Sequence, residues 1–173
     1  MNKKIMSIID HYKKWKLKNP DTWIQVTSNQ SCIETAISVA VFSKNSEGKI
    51  NPHQRWLKTE NLKKFNDNLL AKNKDVLKVK NFSELLKIIE DCKVKGIGDL
   101  ACYDVANRIG CYLGKHPEFV YLHAGTKKGF EKLLKVKAKN KFLNKGDLPE
   151  AFRSSDLDCH AIEDILCIYK DKF

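Results

Sequence analysis

Residues 93–98, with the sequence KVKGIG, constrain the fold of this chain more than any other stretch. An amphipathic helix predicted from Ser83 to about Cys92 runs into them, and a second helix follows at once and stops at Gly114. A connection this short needs glycine, because glycine alone adopts positive φ cheaply. Ile97, between two glycines, is expected to turn inward. The sequence therefore predicts a tight hairpin that locks two helices together.

The outer side of this hairpin is predicted to bind an anion. The main-chain amides of Gly96 and Gly98 are expected to point outward at the start of the second helix, where the helix dipole favours negative charge. Lys93 and Lys95 add positive charge beside them. A nucleic-acid backbone phosphate is the natural anion for such a site. We therefore predict that these four residues, together with Ile97, form a DNA contact.

The charge balance also favours a polyanionic partner. The 173 residues include 32 lysines and arginines against 21 acids, a formal net charge of +11. Contacts between such a surface and a nucleic acid depend strongly on salt. A base composition that favours lysine and asparagine codons is the alternative source of this charge. DNA is the expected partner, and RNA stays open as a second one.

Apolar residues recur at helical spacing along most of the chain, and strand-like alternation is almost absent. We expect an all-α fold, a multi-helix orthogonal bundle of seven or eight helices. It forms one compact helical domain over 1–173, or two lobes at about 1–30 plus 115–173 and 31–114, with the hairpin motif at 83–114. Further predicted helix starts are a capping box at Ser31, Asn51-Pro52 ahead of an inward-facing Trp56, and Asp158.

The six cysteines are predicted to be reduced thiols. They include no CxxC pair and most occupy apolar helical positions, which is typical of buried thiols in a chain with its own core. The start of the sequence lacks a continuous apolar segment, and no run reaches membrane-spanning length. We expect a soluble, cytoplasmic protein with no membrane partner. Histidines and cysteines show no metal-ligand spacing, so we expect no metal and no cofactor.

From Phe82 to Phe130 the sequence resembles the helix-hairpin-helix DNA glycosylase superfamily. The resemblance rests on KGIG at 95–98 between two helices of suitable length, and on FVYLH at 119–123, where that family enters its catalytic segment. It implies a DNA-glycosylase-like fold and DNA as the partner. It also implies hydrolysis of the N-glycosidic bond of a modified or damaged base that is flipped into a pocket.

The chain departs from the catalytic pattern of that family at two positions. Many members carry a Schiff-base lysine two residues after the second hairpin glycine, where this chain has Leu100. The catalytic aspartate of the family aligns near Tyr121, and a phenol does not replace a carboxylate. We therefore name other ionisable residues as the candidate catalytic groups: Asp104, His123 and Asp164.

A second predicted anion site lies at 123–129, with the sequence HAGTKKG. Gly125, a capping hydroxyl from Thr126, and the lysines Lys127 and Lys128 fall together at the start of a helix. Lysines are unfavourable in the first turn of an isolated helix, and a bound phosphate would remove that conflict. An ordinary capped helix with a basic first turn is the alternative interpretation.

Arg108 follows Asp104 by four residues, so the two side chains lie on one helical face. An intrahelical ion pair is one interpretation, and a buried acid or a clamp on the substrate is the other. We include Arg108 among the predicted nucleic-acid contacts. The lysine-rich run from Lys127 to Lys145 either forms further contacts to phosphates or is a solvated charged surface.

Three functions remain open from the sequence. The first is a DNA-binding helix-hairpin-helix protein that acts as a divergent DNA glycosylase. The second is a non-catalytic nucleic-acid-binding module that contacts backbone phosphates. The third is a helical protein-interaction domain in which Gly-Ile-Gly is only a tight corner. Salt-sensitive duplex binding would separate the first two from the third, and release of free base would separate the first from the second.

Overall fold

Helix follows helix along the computed structural model of the chain, which describes residues 2–173. Two units emerge from its contacts: a terminal unit, in which residues 2–20 join Pro117–Phe173, and a central unit, Asp21–His116. The predicted all-α class is confirmed, because the described residues hold ten α-helices and one two-stranded sheet. The helix count exceeds the expected seven or eight because short helices with little apolar periodicity were not recognised in the sequence.

In chain order the elements are α1 (Asn2–Lys18), α2 (Thr22–Ser28), α3 (Ile33–Phe42), α4 (Thr59–Leu70), α5 (Asn73–Val76), α6 (Phe82–Cys92), α7 (Asp99–Leu113), β1 (Val120–Tyr121), α8 (Ala124–Leu134), β2 (Phe142–Leu143), a 3-10 turn (Lys145–Asp147), α9 (Glu150–Arg153) and α10 (Cys159–Ile168).

The terminal unit is built around α10. Helix α8 packs along it, and α1 packs against both α9 and α10. The inward face of α1 carries apolar residues three and four positions apart, which is why it folds as an amphipathic helix. Strand β1 pairs antiparallel with β2, with Val120 opposite Leu143. The buried side chains of this unit include Ile5, Ile8, Ile9, Tyr12, Val120, Phe130, Phe152, Ile162, Ile165 and Leu166.

The central unit is built around α7. Helices α2, α3 and α6 all pack against α7, and α4 packs against α3 and α6. Nine residues of α7 are buried, so this helix is covered on most sides. Its neighbour α6 buries an apolar stripe that includes Phe82, Leu85 and Ile89. Since α7 is enclosed, any ligand of this helix must approach its ends or its few exposed positions.

Two of the predicted helix starts are wrong. Residues 52–57 form successive turns and α4 begins only at Thr59. The amide of Gln54 donates a hydrogen bond to the carbonyl of Asn51, and the amide of Leu57 donates one to the carbonyl of Gln54. These bonds between residues three apart form separate turns and not a continuous helix. As a consequence Trp56 is 79% exposed and does not face inward. The N-cap of α3 is Cys32, whose side chain makes no capping hydrogen bond to the helix backbone, so the predicted capping box at Ser31 is absent.

The start of the last helix agrees with the sequence. Asp158 is the N-cap of α10 and its carboxylate accepts a hydrogen bond from the amide of Ala161. The division into units differs from the expected lobes at one boundary. Residues 21–30 belong to the central unit, because α2 packs against α7. The sequence placed them with the first helix, since nothing local marks the change of partner.

None of the six cysteines is part of a disulfide bond. Cys92, Cys102 and Cys159 are buried, and burial raises the pKa of each, that of Cys102 to about 12. These three thiols therefore stay protonated and act as small apolar side chains in the core. Cys32 is exposed, so the expectation of burial is wrong at that position. Within residues 2–173, no helix has the length and apolar character that a membrane crossing requires.

Candidate nucleic-acid interface

The hairpin between α6 and α7 needs glycine at Gly96. This residue has a φ of +94°, in the region that L side chains rarely adopt. A Cβ atom there would also lie 2.6 Å from Nδ2 of Asn61 on α4. The glycine itself remains exposed to solvent. Gly96 is therefore fixed by backbone conformation and by packing, as the tightness of the turn predicts.

Ile97 anchors the hairpin from the inside. Its side chain is only 5% exposed, and its amide donates a 3.0 Å hydrogen bond to the carbonyl of Val94. The predicted inward orientation is confirmed. Burial of an isoleucine side chain stabilises by about 1.5–3 kcal/mol. This burial favours the observed conformation of the hairpin.

Gly98 has a different role from Gly96. It is the N-cap residue of α7, with φ −91° and ψ 170°, an extended conformation that any residue adopts. A Cβ atom on it would meet nothing within 4 Å. The expectation that the turn is too tight for a side chain is therefore wrong at this position. The N-cap residue of α7 has no side chain with which to cap the helix, and the space that a side chain at Gly98 would occupy is open.

The two lysines of the hairpin are not equivalent. The ammonium of Lys93 donates a 2.8 Å hydrogen bond to Oδ1 of Asp99 in the first turn of α7. This hydrogen bond and the carboxylate charge raise the pKa of Lys93. Lys95 is exposed on the turn itself. Lys95 can meet a phosphate directly, whereas Lys93 must first leave Asp99.

Arg108 lies inside the central unit, which corrects its assignment to nucleic-acid contacts. Only 3% of the residue is exposed. Its Nη1 donates to the carbonyl of Ala40 at 3.0 Å and to Oε1 of Gln54 at 2.7 Å. Burial lowers the pKa of the guanidinium, and the carboxylates of Asp104 and Asp21 oppose that shift. Arg108 ties α7 to α3 and to the segment before α4, and it does not face a ligand.

Asp104 lies at the edge of this buried cluster. Its Oδ2 is 4.0 Å from Nη2 of Arg108, so the predicted ion pair along the helix is present at long range. The same oxygen is 3.1 Å from Nδ1 of His53. Asp104 is thus a shared partner of a buried arginine and an exposed histidine. The two residues of the His53–Asp104 pair are 51 positions apart, so no local pattern signals it.

The start of α8 differs from the predicted second anion site. The N-cap is His123, and Thr126 lies inside the helix with 2% of its surface exposed. Thr126 therefore does not supply the capping hydroxyl that the sequence predicted. Lys127 and Lys128 are exposed in the first turns, as expected from a basic helix start. No side-chain cap hydrogen bond is made by His123.

The glycines of α8 serve helix packing. A Cβ on Gly129 would overlap the backbone carbonyl of Leu166, and one on Gly125 would overlap the sulfur of Cys167. Leu166 and Cys167 both lie in the last turn of α10, so these glycines let α8 and α10 approach closely. Gly125 is therefore better explained by contact with α10 than by contact with a phosphate.

Asp164 on α10 is held in an ionised state. Its Oδ2 accepts a 2.8 Å hydrogen bond from the hydroxyl of Tyr12 and another of 2.8 Å from Nζ of Lys16. Burial raises the pKa of Asp164, but the charges of His160 and Lys16 and the two hydrogen bonds outweigh it and keep that pKa below its usual value. Burial and the charge of Asp164 raise the pKa of Tyr12. Of the candidate catalytic residues, Asp164 and His123 belong to the terminal unit and Asp104 to the central unit.

The lysine-rich run leaves the helix after Leu134, as its alternating pattern predicts. Lys135 has a φ of +55° and ends α8 in the left-handed conformation. Behind this bend is an open cleft of about 350 Å³, whose walls hold four lysines and one acid. The lining residues are Lys128, Glu131, Lys132, Lys135, Val136 and Lys137. Surface lysines of this kind add positive potential but define no specific contact.

Among residues 2–173, no group of three or more histidine, cysteine, aspartate or glutamate side chains is arranged to hold a metal ion. Comparisons with protein-family models, with curated proteins and with solved structures find no match to this chain. The functional argument therefore depends on the geometry of the chain itself. Its best-defined exposed element is the hairpin at 93–98.

Proposed function

We propose that this protein binds DNA through the backbone phosphates of the strand that meets the hairpin between α6 and α7. One observation carries the proposal. The N-cap of α7 is Gly98, which offers no capping side chain and beside which a Cβ would meet open space, while Gly96 and Ile97 define the turn that precedes it. Amides at the positive end of a helix of 15 residues are suited to an anionic oxygen.

Charge supports a polyanion over a small anion. Lys95 is exposed beside the turn, and the chain as a whole carries a net charge of +11. Each phosphate neutralised by a cation releases condensed counterions, so affinity for a strand grows with the number of contacts and falls with salt. Contacts from main-chain amides and lysines to phosphate oxygens carry no sequence information. The proposed binding is therefore independent of sequence.

The experiment replaces Gly98 by aspartate. A Cβ at this position has open space, and aspartate is a favourable N-cap, so the free energy of unfolding should stay equal or rise by up to about 1 kcal/mol. The new carboxylate would occupy the amides and repel a phosphate. We expect the affinity for a short duplex to fall at least about tenfold, the cost of a lost charge-assisted contact. The measurements are fluorescence anisotropy across a salt series and urea unfolding.

The matched control is Gln25→Glu, an equal change of charge on the exposed surface of α2 in the same unit. It should weaken duplex binding far less than Gly98→Asp does. Equal losses in the two variants would mean that net charge alone drives binding and that the hairpin is not the contact. Unchanged affinity in both would mean that the duplex contacts another part of the protein. No salt-sensitive duplex binding by the wild type would favour the helical protein-interaction domain. A preference for duplex RNA over duplex DNA would move the proposal to RNA.

Base excision is a second candidate function, implied by the resemblance of residues 82–130 to the helix-hairpin-helix glycosylases, and Asp164 is its candidate carboxylate. A carboxylate can stabilise a positively charged sugar as a base leaves, and at Asp164 that sugar would compete with the ammonium of Lys16. The test is incubation with duplexes that carry varied modified bases, followed by cleavage at abasic sites. Asp164→Asn should abolish any cleavage and leave duplex affinity unchanged. Cleavage that persists in this variant would show that Asp164 is not the catalytic carboxylate.

A further inference from the structure

The segment between α3 and α4 presents a tryptophan to solvent. Trp56 is 79% exposed, although tryptophan is among the side chains that folding buries most on average. A single exposed aromatic ring is common on proteins and needs no explanation by itself. What distinguishes Trp56 is that the residues on its N-terminal side are firmly held and that a cation covers one face of its ring.

The segment is tied to α7 at two successive residues. Gln54 is 1% exposed and its Oε1 accepts a 2.7 Å hydrogen bond from the buried Arg108. His53 turns the other way and its Nδ1 lies 3.1 Å from Oδ2 of Asp104. Backbone bonds from Gln54 and Leu57 close turns on either side. Trp56 is therefore held outward on a fixed segment.

The Arg55 guanidinium lies 4.7 Å from the centre of the Trp56 ring. This cation–π contact orients the ring and places a positive charge beside it. Between positions 44 and 58 the chain carries four cations and one acid. The cations are Lys44, Lys49, Arg55 and Lys58, and the acid, Glu47, is paired with Lys49. The stretch of sequence that carries the ring therefore has an excess of positive charge.

We propose that Trp56, backed by Arg55, stacks on an unpaired nucleobase of the bound DNA strand. The ligand that fits is flat, aromatic and joined to phosphates, because it meets an open ring face and a cationic surface together. Grooves that bind single strands combine positive charge with aromatic platforms in this way. Lysine is depleted at protein–protein interfaces, and Lys49 and Lys58 flank Trp56 in the sequence. The proposal rests on the function proposed above, and it adds a contact to the base where the hairpin contacts phosphate.

The experiment compares the wild-type protein with Trp56→Leu and Trp56→Phe, titrated with a fluorescein-labelled oligothymidylate of about twelve nucleotides, a length within known site sizes. Trp56→Leu should weaken binding of this single strand by about tenfold, because stacking on one base is lost. Trp56→Phe should restore most of it, since a flat ring remains. The unlabelled strand should quench the tryptophan fluorescence of the wild type. In Trp56→Phe the same strand should cause a much smaller decrease in fluorescence.

A fully paired duplex separates this inference from the hairpin. Trp56→Leu should leave duplex affinity nearly unchanged, whereas Gly98→Asp should weaken it. If Trp56→Leu binds the single strand as well as the wild type does, stacking is overturned while the hairpin proposal stands. If the wild type binds no nucleic acid at low salt, both fail. If the protein self-associates in sedimentation and Trp56→Leu abolishes this, the ring serves a contact between copies and the proposal is overturned.

Discussion

Gly98 and Gly125 stand at the beginnings of two helices, each near lysines, and in the sequence the two sites look alike. At α7 the glycine faces open space, so a side chain would be tolerated and a ligand can approach. At α8 the glycine faces Cys167, and Gly129 one turn later faces the backbone of Leu166. The first site is open to solvent, and the second packs against a neighbouring helix. Composition alone did not distinguish them.

The largest effect should come from Gly129→Ala. The added Cβ would overlap the carbonyl of Leu166, and a backbone group cannot move aside without shifting α10. We expect a loss of at least about 3 kcal/mol in the free energy of unfolding, at the upper end of overpacking costs. Urea unfolding followed by circular dichroism measures it.

Gly146→Ala is the control for that measurement, since a Cβ there meets nothing within 4 Å. Its stability should change by less than about 0.5 kcal/mol, as is usual at surface positions. Gly125→Ala provides a second comparison, because its clash is with a side chain. The double variant Gly125→Ala, Cys167→Ala should recover part of the loss. Similar stability of Gly129→Ala and Gly146→Ala would contradict the packing role.

An intermediate effect is expected for Gly96→Ala in the hairpin. The φ of +94° strains any residue with a Cβ, and Asn61 must move to make room. We expect a loss of about 1–2 kcal/mol, the usual cost of a left-handed conformation. The side chain of Asn61 is flexible, so the protein should still fold. Urea unfolding measures the loss, and a variant as stable as the wild type would show that the turn relaxes.

The smallest effect on the fold is expected for Asp99→Asn. The ion pair of this carboxylate with Lys93 is exposed at the surface, where such pairs contribute little to stability. Removing the carboxylate releases Lys93 for a phosphate. We expect duplex affinity to rise a few-fold. The slope of log affinity against log salt concentration should become steeper by about one, because one more phosphate is neutralised. Anisotropy titrations at several salt concentrations measure both quantities. Weaker binding by the variant would contradict a strand contact at Lys93.

The comparison also shows what a sequence-based interpretation of the site could reach. The inward orientation of Ile97 and the positive φ of Gly96 were predicted correctly, because the local turn requires both. Arg108 was misassigned, because its partners Ala40 and Gln54 lie 68 and 54 positions away. Trp56 was placed in the core because it is apolar. The turns that expose it are anchored by a distant helix.

The sequence by itself determined the longer helices and the hairpin of this protein. Apolar periodicity, the Asp158 cap and the KGIG turn act over a few residues, where chain geometry leaves few alternatives. The tertiary structure decided which glycine faces a helix and which faces solvent, and which cation is buried. Those outcomes depend on pairs of segments far apart in the chain, and no local pattern encodes which surface a residue will meet once its helix has packed.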